Sequence, residues 1–107
     1  MKQSYSDREP LRADVDALPG ATVLEFGSAW CGICRAAQPA IESALEQRHG
    51  VRHLKIQDGP GRQLGRSFGI KLWPTLVFLR DGVEVARLVR PREPRAIEQA
   101  LATLVGA

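Results

Sequence analysis

Cys31 and Cys34 are the residues of this chain best suited to covalent chemistry. They are its two cysteines, set C-x-x-C apart, straight after an apolar run that ends Glu25–Phe26–Gly27 and straight before a helical pattern. A strand that feeds a helix brings Cys31 to the helix N-terminus, where backbone N–H groups without helical partners favour a thiolate over a thiol. Cys34 lies one turn further in, close enough to attack a mixed disulfide formed at Cys31. The pair has the arrangement of an attacking and a resolving thiol. Trp30, beside the reactive cysteine, is expected as an exposed docking aromatic rather than as core.

The same cysteines also satisfy a zinc spacing on paper, Cys31-x2-Cys34-x14-His49-x3-His53. Helix geometry opposes it. If residues 34–48 are helical, His49 lies roughly 22 Å from Cys34 along the axis, whereas zinc ligands must meet one ion at about 2.0–2.3 Å. No metal is expected. His49 then reads as a residue at a helix C-terminus and His53 as a surface residue of a strand, neither with a catalytic neighbour in sequence.

The elements that must position the thiols follow from periodicity and punctuation. Residues 1–6 suggest a short edge strand. Over 7–18, Leu11, Val15 and Leu18 recur at helical spacing, with Ser6 as cap and Pro10 in the first turn, and Pro19–Gly20 stops the helix. Thr22–Phe26 is a short apolar strand. A second helix runs from Cys31 to Arg48 with Pro39 expected to interrupt and kink it, ended by Gly50. Val51–Gln57 is a strand and Arg62–Phe68 one short helix. The unbroken apolar run Thr75–Leu79 marks a central strand, Asp81–Gly82 a hairpin turn, and Val83–Val89 its antiparallel return. Glu93–Val105 is a closing helix with an Ile97, Leu101, Leu104, Val105 stripe. The order (β)αβαβαββα implies a mixed sheet with helices on both faces.

Composition sets the outer bounds. The chain is 107 residues, 44% hydrophobic and 25% charged, as expected of one ordinary globular domain spanning 1–107. Two cysteines are too few for a disulfide scaffold. Met1 to Arg12 has no apolar signal-like core and no run approaches membrane-spanning length, so a cytoplasmic, reducing setting is the expectation. The net charge is +3, but the basic residues are scattered and only six aromatics are present, which argues for a solvated or partner-facing surface over nucleic-acid binding. Neither membrane nor nucleic acid is expected as a partner, and nothing points to an oligomer.

Several motifs fall together in register. They are Glu25–Phe26, Trp30–Cys31–Gly32–Ile33–Cys34–Arg35, Pro39 five residues after the second cysteine, Gly69–Ile70 followed by Trp73–Pro74–Thr75, and Asp81–Gly82. On these motifs, over roughly residues 7 to 105, the chain resembles the thioredoxin family. The resemblance implies the α/β thioredoxin fold, a central mixed sheet flanked by helices on both faces. It implies a cis peptide before Pro74, a proline facing the dithiol, and a substrate segment pairing with the backbone of Trp73. Trp30, Gly32, Ile33, Trp73 and Pro74 would form the docking groove.

Four departures from the family pattern shape the expectations. Ile33 stands where the family has proline, which implies a shifted reduction potential. Glu25 replaces a buried aspartate; the expectation is a carboxyl with a raised pKa that assists proton transfer at Cys34, partnered by Lys55, or by Leu54 if a gap falls near Asp58. Gly27 stands where many members carry a second tryptophan, a space Trp73 is expected to fill in part. Leu72 and Arg90 replace small residues, giving the substrate groove a larger, cationic rim suited to acidic segments.

The function that follows is a thiol–disulfide oxidoreductase. Cys31 attacks disulfide-containing proteins, Cys34 resolves, Glu25 assists, and a separate reductase supplies electrons with no resident cofactor. The alternatives are a non-catalytic binding or assembly module that uses the same groove, or a disulfide oxidase or isomerase.

Overall fold

β1 (Ala21–Gly27) is the strand on which the architecture is built, because it is buried along its whole length and pairs on both sides. The computed structural model describes residues 4–106. In chain order the elements are α1 (Arg12–Asp16), β1, α2 (Gly32–Glu46), β2 (Val51–Gln57), α3 (Gln63–Ser67), β3 (Thr75–Arg80), β4 (Val83–Val89) and α4 (Pro94–Gly106). The strands lie in the order β2-β1-β3-β4, with β1 parallel to β2 and antiparallel to β3, and β3 antiparallel to β4. This is the mixed sheet with helices on both faces.

Alternation along β1 divides the interior in two. Ala21 and Val23 join Ile41, Ala44, Ile97, Leu101 and Leu104 in the layer under α2 and α4. Leu24 and Phe26 join Val15, Ile56, Leu64 and Phe68 under α1 and α3. By the period of two, Glu25 faces the α2 side with Val23. A carboxyl is thus carried into the interior by its strand's register.

Three expectations about elements are corrected. The first helix begins at Arg12, not at residue 7. Pro10 disfavours helix at Glu9, and Glu9 instead accepts the backbone N–H groups of Gln63 (2.9 Å) and Leu64 (3.3 Å), capping α3 from outside. The expected edge strand 1–6 reduces, among the described residues, to a single parallel bridge of Ser6 with Ile56; residues 1–3 lie outside the described residues. Pro39 does not interrupt α2, which is helical throughout. Ala37, Ala40 and Ile41 on either side of it are buried against the sheet, packing that outweighs a helix-interior proline cost of about 3 kcal/mol.

The hairpin ties the far end of the sheet to the start of β1. Asp81 and Gly82 both have positive φ, 50° and 82°, as a two-residue turn of this kind requires. Asp81 exchanges two bonds with Gly20, its N–H donating to the Gly20 carbonyl (2.8 Å) and its carboxylate accepting the Gly20 N–H (2.6 Å). A Cβ on Gly82 would come within 1.9 Å of the Asp16 carbonyl oxygen. Gly82→Ala should therefore cost about 2–4 kcal/mol from left-handed strain plus a backbone clash. A thermal melt should show a Tm about 10 °C or more lower; an unchanged Tm would mean the turn is not packed on α1.

Candidate active site

Cys31 is the N-cap of α2, in extended conformation, and half-exposed. Its sulfur accepts the Cys34 backbone N–H at 3.1 Å. A thiolate at Cys31 thus has a helix N-terminal donor already aimed at it. Cys34 is fully buried, 0% exposed. Its thiol is pushed up to about 11, chiefly by burial and then by the hydrogen bond and charge of Cys31, with opposing help from the Ser28 backbone and from Tyr5. One sulfur is accessible and the other is hidden and protonated at neutral pH.

Beneath α2 lies Glu25, 0% exposed. His53 Nε2 is 2.9 Å from Oε1. At Oε2, Gln38 Nε2 donates at 2.8 Å, the Tyr5 hydroxyl donates a short hydrogen bond, and Lys55 Nζ stands 4.0 Å away. Lys55 also donates to Gln38 Oε1 (2.7 Å) and sits 4.4 Å from the Tyr5 ring centroid. β2 supplies both His53 and Lys55 because the parallel register sets Val23 opposite His53 and Glu25 opposite Lys55, on one face. Lys55, rather than Leu54, is the partner of the acid.

The expected raised carboxyl is overturned. Burial does push Glu25 up, but the hydrogen bonds from His53, Tyr5 and Gln38, with the charge of Lys55, hold it below the ordinary carboxylate value. The magnitudes show why one partner would not suffice. An ammonium at 4 Å is worth roughly 4 kcal/mol at an effective dielectric of 20, about the size of the desolvation cost of one buried ion. Hydrogen bonds to a charged group, at about 1.5–3 kcal/mol each, decide the sign.

His53 is not the surface residue that its sequence context suggests: its side chain is 19% exposed and turned onto Glu25. His49 lies past the Gln47 C-cap of α2. The Trp73 indole N–H donates to Asp58 Oδ2 (2.9 Å), and Asp58 in turn donates its backbone N–H to the Gly27 carbonyl (2.9 Å). The space beside Gly27 holds Tyr5 and Cys34: a Cβ there would come within 2.7 Å of Tyr5 Oη and 2.8 Å of Cys34 Sγ. Tyr5, Gln38 and His53 are the site residues missing from the sequence reading. Gln38, one turn after Cys34, and His53, two residues before Lys55, carried a faint periodic signal; Tyr5 carried none.

The outer rim is assembled from distant segments. The Trp73–Pro74 bond is cis, and Thr75 pairs with Phe26, so Pro74 enters β3 at the end of the sheet where β1 leads to Cys31. Gly32, Ile33, Arg90 and Arg92 line one shallow groove. Trp30 projects from the surface at 86% exposure and Ile33 at 46%. Arg90, at φ 53°, donates its backbone N–H to the Pro74 carbonyl (2.8 Å) and its Nε to the Trp73 carbonyl (2.7 Å). The carbonyl of Trp73, whose backbone is expected to pair with a substrate segment, therefore already has a guanidinium on it.

A carboxyl that ionises more readily in the fold than in the unfolded chain stabilises fully above its ordinary value of 4.5. That contribution is lost as pH falls through the lower folded value. Glu25→Gln should make the stability curve shallower between about pH 5 and 3, measured by urea unfolding across that range; an unchanged acid slope would show that Glu25 ionises no more readily in the fold than in the unfolded chain.

Comparison with known proteins gives a consistent result. The thioredoxin family pattern matches residues 5–103. Thioredoxin-2 of Saccharomyces cerevisiae is 32% identical over 103 residues, spanning 96% of this chain and 95% of that protein. The reduced structure of thioredoxin 2 from Pseudomonas aeruginosa PAO1 superposes with a TM-score of 0.89 at 55% identity, covering 99% of this chain and 98% of its own. Thioredoxin from Trypanosoma brucei brucei, at 18% identity, TM-score 0.81 and coverage of 97% and 93%, shares the fold.

Proposed function

Because this chain belongs to the thioredoxin family and is a thiol–disulfide oxidoreductase, we propose that Cys31 is its attacking thiol and Cys34 its resolving thiol in the reduction of protein disulfides. The observation that carries the assignment is the contrast between a half-exposed sulfur capped by a backbone donor and a buried, protonated one a turn below. Cys31 Sγ attacks one sulfur of the substrate disulfide and forms a mixed disulfide, the other substrate sulfur leaving with the electron pair. Cys34 Sγ then attacks Cys31, closing the intramolecular disulfide and releasing the second substrate thiol. Glu25 assists proton transfer at Cys34.

The two electrons return from a separate reductase, and the cycle needs no resident cofactor. We assign the protein to a reducing, cytoplasmic compartment and to action as a monomer; among the described residues no helix is long and apolar enough to cross a membrane. Trp30, Gly32, Ile33, Trp73, Pro74 and Arg90 form the docking surface. An acidic substrate segment would draw Arg90 off the Trp73 carbonyl and free that oxygen for backbone pairing, so charge would select the partner.

Three measurements test this. Cys31→Ser should abolish disulfide reduction, whereas Cys34→Ser should hold substrate in a mixed disulfide detectable by mass. The paired potential should lie near or below about −250 mV for a reductase, while a value above about −200 mV would make the protein an oxidant or isomerase. Reduction retained in Cys31→Ser would sink the assignment. Arg90→Glu should raise KM several-fold for peptides with acidic flanks and lower it for basic ones; identical shifts for both would remove charge selection.

A further inference from the structure

The Tyr5 hydroxyl lies between the Glu25 carboxylate and the Cys34 thiol. It donates to Glu25 Oε2 and stands beside the Cys34 sulfur over Gly27. Gly27 makes the meeting possible, since a Cβ there would crowd both groups at 2.7 and 2.8 Å. Gln38 Nε2 steadies the arrangement by reaching Tyr5 Oη (3.3 Å), Glu25 Oε2 (2.8 Å) and the Cys34 carbonyl (2.9 Å).

We propose that Tyr5 is a catalytic residue of the resolving step, a phenol that carries the proton of Cys34 to Glu25. The inference rests on the dithiol assignment above. As Cys34 Sγ attacks Cys31 Sγ, its proton passes to Tyr5 Oη while the Tyr5 proton passes to Glu25 Oε2. The new sulfur–sulfur bond takes its electron pair from Cys34. The pair of the broken Cys31–substrate bond leaves on the substrate sulfur, which takes a proton from water. Tyr5 ends neutral, as it began, and Glu25 ends as the neutral acid.

The surroundings suit this division of labour. Burial, with Glu25 and Cys34 adding to it, raises the Tyr5 phenol far above its ordinary range, so Tyr5 passes a proton rather than holding a charge. Glu25 is faced by Tyr5 from the N-terminal segment, by Gln38 from α2, and by His53 and Lys55 from β2. Cys34 is faced by Tyr5, Cys31 and the Ser28 backbone. With those partners Glu25 is a weak base that does not store the proton. Its other oxygen is 2.9 Å from His53 Nε2, and the His53 side chain is partly exposed, so a polar side chain stands between the acid and solvent.

The test is the ratio of resolution to attack, measured by rapid acid quench and mass spectrometry with a peptide disulfide. In Tyr5→Phe, which keeps the ring beside the Lys55 ammonium, the ratio at pH 7 should fall tenfold or more and the mixed disulfide should accumulate. Its resolution rate should then rise about tenfold per pH unit as hydroxide takes over, where the unaltered protein stays flat. A ratio within twofold of the unaltered protein, or parallel pH profiles, would overturn the relay and leave the dithiol assignment standing. Failure of either protein to form a mixed disulfide would overturn both. A second measurement needs no variant: with two protons in flight, the resolution rate of the unaltered protein should curve with the fraction of D2O, and a straight line would overturn the relay.

Discussion

A negative charge buried under a helix is the constraint on which this site depends. Glu25 cannot be relocated without moving β1, and it cannot stay ionised without partners drawn from three separate parts of the chain: Tyr5 ahead of α1, Gln38 on α2, His53 and Lys55 on β2. Each of those segments is held in place partly by what it contributes to the carboxylate. Removing one partner leaves a charge in a low-dielectric layer with its desolvation no longer offset, which is more costly than never having buried it. The polar cluster is therefore a positioning device as well as a chemical one, and the helix that carries both cysteines rests on it through Gln38.

The two thiols differ through environment alone. Their covalent chemistry is the same and they are three residues apart, yet Cys31 occupies a helix cap with a donor on its sulfur and Cys34 is enclosed by the sheet. Proximity suits the pair to closing a disulfide, and on the proposed assignment asymmetry of burial would give it a direction, the more accessible cysteine meeting a partner first. The rim adds a second asymmetry, since Arg90 clamps the backbone around Pro74 through both its main chain and its guanidinium.

Most of the fold was legible because its signals are local. Val51–Gln57 and Val83–Val89 were bounded to the residue by turn chemistry, and Asp81–Gly82 by its hairpin signature. The C-x-x-C between strand and helix, with Trp73–Pro74 ahead of β3, located the dithiol. The misses share a cause. Glu9 caps a helix 54 residues away, so the stretch before Arg12 looked helical until its distant client was known. His53 looked like surface because the parallel register that turns it onto Glu25 is a property of two strands. Glu25 was expected to be hard to ionise because burial is legible in an apolar strand while the donors that reverse it are not. Tyr5 was invisible because no periodicity ties residue 5 to Gly27 or Cys34.

The Ser6 bridge has a thermodynamic consequence. Two backbone hydrogen bonds, Ser6 N–H to Lys55 O and Gln57 N–H to Ser6 O, dock this stretch on β2, and the stretch carries Tyr5. A segment outside the sheet proper, joined to β2 by one bridge and otherwise by side-chain bonds such as that of Tyr5 to Glu25, belongs to the part of a fold that opens locally before the core strands do. The phenol beside the buried sulfur is therefore present only for the fraction of time the segment is docked. The stability that matters to this redox centre is that local opening equilibrium, and it can change while global unfolding does not.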